Sequence, residues 1–379
     1  MRGCNRRAVI AGAGLGVLLP GAALAMQRAK PPEQASVISI PPRQWGPDAP
    51  PVMFPDPDVL TVDPAFDGLR VTLAQVKRLA TGFQWAEGPA WNAAGNYLVF
   101  SDVHADVQYR LLWETQAVSP FRRPSLNSNG NTFDFEGRQI SGQDFARRVV
   151  RWEHDGAMTV IADSFEDRPL NLPNDFACHP DGSIWFTDPY YGGQLSEGHP
   201  DSGDGPFNAG GLRDNRVGNP SYGLIGGLHQ SLSPAIYRWD PSGRLDRVAT
   251  GRTPNGLAFS PDYKRLYFVW DKQIWMGDVA GGKLSGLRLF TDCMVDGVNC
   301  GPDGHRVDRA GNVWSGSNAP FGYSGVTVWN PAGKLIGRIR LPEVCANVCF
   351  GGPKRDWLLM AASQSIYALH VNIQGAGPG

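Results

Sequence analysis

The chain is short of net charge, of long apolar runs and of the cysteine spacing that holds zinc. Its 35 basic and 36 acidic residues leave a net charge of −1, which removes any electrostatic argument for a nucleic-acid or anionic-membrane partner. The apolar run at 8–19 is too short and too glycine-rich to span a bilayer. Six cysteines are present without a zinc pattern. No G-x-S-x-G elbow offers a serine nucleophile, and no glycine loop suited to a phosphate or a nicotinamide cofactor appears.

What the chain has is glycine, tryptophan and repetition. Its 47 glycines and 12 tryptophans suit a turn-rich β protein. The stretch 172–189, L-P-N-D-F-A-C-H-P-D-G-S-I-W-F-T-D-P, reads as two apolar strands joined at a Pro-Asp-Gly turn. Related stretches open at Glu87, Asn129, Asn255, Asp303 and Asn347, each running into an apolar strand, a turn and a second strand. The spacings along this series are 42, 45, 81, 48 and 44 residues. All but one match a four-stranded propeller blade of roughly 40 to 50 residues. A second β-rich run follows each first one, so the chain reads as an all-β, six-bladed β-propeller.

The six opening residues, Glu87, Asn129, Asn174, Asn255, Asp303 and Asn347, all carry a side-chain oxygen. If each starts the innermost strand of its blade, all six face the axis at one mouth of the channel. Such an oxygen ring suits a hard cation. Asn and Asp also begin strands simply as turn residues, so the ring argues as a set rather than position by position.

The motifs E-G-P-A-W, P-N-D with D-G-S-I-W-F-T-D-P, P-N-G-L-A-F-S-P-D, and P-D-G-H-R-V-D with G-N-V-W resemble the SMP-30, gluconolactonase or regucalcin-like family over about 87–369. The resemblance implies lactone hydrolysis and one divalent metal held by Glu87, Asn174, Asn255 and Asp303. Calcium is the first expectation, with zinc, manganese or magnesium as alternatives. Asn129 and Asn347 are then residues behind the metal or facing a small lactone substrate, or structural. The family pattern has the metal acting as a Lewis acid and Asp303 as general base. Because cation binding lowers a carboxylate's basicity, a hydroxide generated on the metal remains the other candidate base. Animal members carry an arginine two residues before the asparagine of P-N-D; here that position is Leu172, which weakens a specific aldonolactone assignment. Cleavage of other esters or organophosphates on the same site, a strictosidine-synthase-like role, and a non-catalytic periplasmic binding propeller stay open as alternatives.

Around this core, residues 1–25 read as an export signal. Arg2, Arg6 and Arg7 precede the apolar run, and A-L-A at 23–25 is a cleavage site; the adjacent arginines fit a twin-arginine or a Sec signal. The expected location is periplasmic, with no membrane attachment after cleavage. Residues 26–70 hold ten prolines and read as an extended leader. The β-rich stretch 71–83 is expected to pair with the last blade, inside a propeller spanning 71–372. The 81-residue spacing marks an insertion at about 190–235, expected as a lid at the mouth. Tyr190, Tyr191, His199, Arg213, Arg216, Tyr222 and His229 are its candidate substrate contacts. His305 lies two residues beyond Asp303, on the same strand face; it reads either as a channel-facing group or as a packed histidine. Cys293 and Cys300 are close enough in sequence to pair in an oxidising compartment, whereas Cys178 reads as core.

Overall fold

The structure, a computed structural model, describes residues 34–190 and 230–378. The expected export signal and six of the seven insertion candidates (Tyr191, His199, Arg213, Arg216, Tyr222 and His229) lie outside the described residues. Among the described residues no helix is long and apolar enough to cross a membrane.

Six antiparallel sheets of consecutive strands form a β-propeller. The innermost strands are Ala86–Asn92, Ser128–Phe133, Phe176–Cys178, Pro254–Phe259, Pro302–Val307 and Cys345–Gly351, for blades 1 to 6 in turn. Second strands such as Arg265–Trp270 and Trp357–Ala362 are continuous apolar runs because each sheet is covered on both faces by its neighbours. Blade 6 takes its outermost strand from the front of the propeller: Lys77–Thr81 pairs antiparallel with Ser365–His370. That exchange joins the first and last parts of the ring. Val59–Thr61 adds a fifth strand to blade 5. The chain ahead of it is pinned by a buried ion pair between Arg43 and Asp56 at 2.9 Å.

Five of the six blade interfaces are apolar. The one between blades 5 and 6 packs Trp314, Val328, Phe350, Leu358 and Met360, and Phe66 from ahead of the propeller lies against Trp314. The interface between blades 1 and 2 differs. Its apolar cluster is reduced to Ala90, Val99 and Phe133, and polar side chains fill the rest.

In blade 3, the second strand Ile184–Asp188 pairs directly with the third, Ala235–Trp239. The long spacing between repeats therefore belongs to the link between those two strands, at the end where inner strands begin. The five cysteines among the described residues are free and buried. Cys293 and Cys300 face each other across the hairpin of Met294–Val295 and Val298–Asn299, with the Cys300 N–H donating to the Cys293 carbonyl at 2.9 Å. The disulfide expected between them is not formed in this structure, and burial raises the pKa of both thiols.

Candidate active site at the channel mouth

A register slip occurs at the start of five inner strands, between Glu87 and Ala90, Ser128 and Asn131, Pro254 and Leu257, Pro302 and His305, and Cys345 and Asn347. A bulge at this point turns the opening side chain out of the sheet's alternation and toward the axis. Blade 3 reaches the same result without a strand residue: Asn174 sits just ahead of Phe176–Cys178, its N–H donating to the Thr187 carbonyl at 2.8 Å.

The opening residues touch one another around the axis. Asn174 Nδ2 approaches Asn255 Oδ1 at 3.4 Å. A side chain at Gly256 would strike the Asp303 carbonyl, and one at Gly304 the Asn347 carboxamide; only glycine permits strands this close. Asn347 Nδ2 in turn donates to Glu87 Oε2 at 3.1 Å. Glu87, Asn174 and Asn347 are almost wholly buried, as is Asp303, and Asn255 is half-buried. The Cys345 thiol registers the two carboxylates together. Burial first, then the charges of Glu87 and Asp303, push its ionisation well up.

Two further residues, which the motif pattern does not single out, complete the channel. Asp175 follows Asn174, and its Oδ1 accepts the second Asn347 N–H at 2.8 Å, across the axis from blade 6. Burial raises its pKa, opposed by the Arg306 charge and the Asn347 hydrogen bond. Arg306 is buried and reaches from blade 5 to the Asn131 carbonyl of blade 2 at 3.5 Å. Together these two cross-links close the channel beneath the mouth. The sequence does carry a trace of Asp175: glycine follows the opening residue at 88, 130, 256 and 304, and an aspartate breaks that pattern in blade 3.

The remaining candidates fall in three places. Asn129 is buried at the head of blade 2, where Asn131 Nδ2 bonds its carbonyl at 3.2 Å. Tyr190 is half-buried just beyond the second strand of blade 3. His305 is fully buried and its Nε2 meets the Tyr267 carbonyl of blade 4 at 3.3 Å. Burial and the neighbouring Arg306 charge lower its pKa to about 4, so it is neutral. Its Nδ1 lies beside Gly256, next to the Asp303 backbone, so His305 is a buried histidine packed directly beneath two of the mouth residues.

The candidate donor set therefore holds two carboxylates and two carboxamides, all oxygen, at the heads of blades 1, 3, 4 and 5. Among the described residues no three His, Cys, Asp or Glu side chains cluster as metal ligands, so a metal at this mouth depends on the amides. The set fits a hard dication, because oxygen ligands of mixed charge and amide type are what calcium takes.

The profile of the SMP-30/gluconolactonase/LRE-like region matches residues 85–364. The chain is 27% identical over 339 residues to a gluconolactonase of Zymomonas mobilis, covering 82% of this chain and 85% of that one. It is 31% identical over 135 residues to the pentonolactonase XacC of Haloferax volcanii, covering 34% of this chain and 44% of that one. Among solved structures, a gluconolactonase of Xanthomonas campestris superposes with a TM-score of 0.67 at 28% identity, over 83% of this chain and 94% of that one.

Proposed function

Since the chain belongs to the SMP-30/gluconolactonase/LRE-like family and is a lactonase, we propose that Glu87, Asn174, Asn255 and Asp303 hold one divalent cation at the channel mouth, where a sugar lactone is hydrolysed. What supports this reading is that two buried carboxylates and two carboxamides head four inner strands, with Asn174 meeting Asn255 and Asn347 meeting Glu87. Calcium matches an all-oxygen set best; magnesium or manganese would tolerate it, and zinc would favour nitrogen or sulfur. When bound, the cation would supply Lewis-acid polarisation of the lactone carbonyl.

The chain's own residues do the rest. Asp303 takes a proton from the attacking water, the water oxygen bonds the carbonyl carbon, and the ring C–O bond breaks. The same proton then returns to the departing ring oxygen, giving a hydroxy acid. Glu87 holds its place because Asn347 Nδ2 donates to one of its oxygens. Leu172 is buried and offers no polar group to a sugar, so hydroxyl recognition rests with other groups at the mouth. The relatives' names, a gluconolactonase and a pentonolactonase, support sugar lactones as the substrate class.

Metal content and ring opening should be measured on purified wild type beside Asp303→Ala and Glu87→Ala. About one divalent ion per chain, with ring opening lost in both folded variants, is the expected outcome. Full activity in a chelated protein, or in either variant, overturns the site. Faster turnover of a phosphotriester than of any sugar lactone would move the substrate class instead. We also read residues 1–25 as an export signal; N-terminal sequencing of periplasmic protein should begin at Met26, and cytoplasmic protein retaining Met1 would refute it.

A further inference from the structure

Between blades 1 and 2 lies a cavity of about 190 Å³ that the channel chemistry does not use. Arg122, Arg148, Gln108, Gln143, Ser125 and Trp152 line it. It lies off the axis, against the outer strands Val118–Arg122 and Arg148–Trp152. The polar seam of the fold is its inner wall.

Its walls are rich in donors. The Arg122 guanidinium is wedged between the Phe121 and Trp152 rings, 4.2 and 4.0 Å from their centroids. Its hydrogen bonds go to neutral carboxamide oxygens: Gln108 Oε1 at 2.8 Å and Gln139 Oε1 at 2.7 Å. Arg148 likewise bonds a carboxamide, Gln143 Oε1, at 2.7 Å. Among the described residues, the side-chain partners of the two arginines are carboxamide oxygens and the Met158 sulfur. The Trp152 indole N–H is buried without a hydrogen-bond partner. Burial opposes Arg122's charge and lowers its pKa to about 10. A half-buried guanidinium bonded to neutral carboxamide oxygens has no protein counterion beside it among the described residues.

The loop flanking this cavity supplies an independent observation. Leu126 and Asn127, successive non-glycine residues, both take left-handed backbone angles, φ 58° and 51°. Such conformations cost energy and persist where the surroundings impose them. Here Asp106 Oδ1 does so, accepting the Ser125 N–H at 3.0 Å and the Asn127 N–H at 2.8 Å. The strained loop holds Ser125 and Leu126 against the cavity beside the two arginines.

We propose that this cavity binds a small oxyanion, with the Arg122 and Arg148 guanidiniums as its charge partners and Trp152 Nε1 as a further donor. Planar guanidiniums suit a carboxylate or a phosphate through paired N–H donors. The cavity volume admits a small organic acid.

Titration calorimetry on the intact protein tests the proposal, with sodium gluconate and inorganic phosphate as anionic probes and sorbitol as the neutral control. Gluconate can also meet the channel mouth, so the titrations are repeated in Asp303→Ala. Both anions should bind in that background while sorbitol does not. Arg148→Met should weaken binding at least about tenfold, and Arg148→Lys should recover part of the loss. Arg148 is only half-buried, so both variants should fold, and their lactone ring opening should match wild type. Equal anion affinity in Arg148→Met, or sorbitol binding as tight as gluconate, overturns the site. Ring opening retained in Asp303→Ala, with anion binding intact, would count against the channel assignment alone.

Discussion

The channel mouth and the seam between blades 1 and 2 are both polar places inside an apolar ring, and both are furnished with carboxamides. They differ in the charge that accompanies the amides. At the mouth the fixed charges are the carboxylates of Glu87 and Asp303, beside Asn174, Asn255 and Asn347. In the seam they are the guanidiniums of Arg122 and Arg148, beside Gln108, Gln139 and Gln143. A carboxamide presents an oxygen to a cation and an N–H to an anion with equal ease. The sign of the charged neighbour therefore decides which ligand each place can take. The two are also joined. Gln108 Nε2 lies 2.8 Å from Asn131 Oδ1, and Asn131 Nδ2 donates to the carbonyl of Gly88, the residue after Glu87.

If the difference in sign governs function, substitutions should separate the two places cleanly. The largest effect is expected from Asp303→Ala, which should lower lactone turnover by about a hundredfold or more. Gluconate binding in the seam should persist in that variant, as calorimetry would report. Asn347→Ala removes the donor shared by Glu87 and Asp175. Metal affinity should fall about 10- to 100-fold, as for other residues that orient a ligand; metal titration of chelated protein measures it. Unchanged affinity would show that Glu87 needs no such support.

Arg122→Met acts on the other side. It leaves the Gln108 and Gln139 carbonyl oxygens without their cation, and urea unfolding should show a loss of about 1–3 kcal/mol. Metal affinity at the mouth should stay within error, and a large drop would mean the Asn131 connection transmits strain. The smallest effect concerns salt. Raising ionic strength from about 0.05 to 0.5 M should weaken anion binding in the half-exposed seam severalfold. It should alter metal binding at the buried mouth less, and the reverse order would contradict the burial of the two sites.

Much of the mouth was legible because a repeat exposes it. Six residues with side-chain oxygen at nearly constant spacing announce six inner strands and a common end. Their common placement at the strand heads follows from the blade geometry alone. The seam was legible only in part. Gln139, Ser141 and Gln143 place polar groups on one face of a blade 2 strand, where blade 6 has the apolar run of Trp357–Ala362. That alternation marks an unusual interface without naming its partners. Asp175 shows the same limit, since its change from the glycine pattern is visible while its role is not.

The sequence by itself determined the number of blades, the residues that head them and the place where blade 3 is interrupted, because each depends on local spacing and strand pattern. Only the tertiary structure decided what lies beside what. Asn347 reaches Glu87 across 260 residues and Asp175 across 172, and Arg306 reaches Asn131 across 175. These contacts depend on closing the ring through Lys77–Thr81 and on bulges that re-aim single side chains. Periodicity cannot express either, since both arise from packing between blades rather than from the order of residues within one.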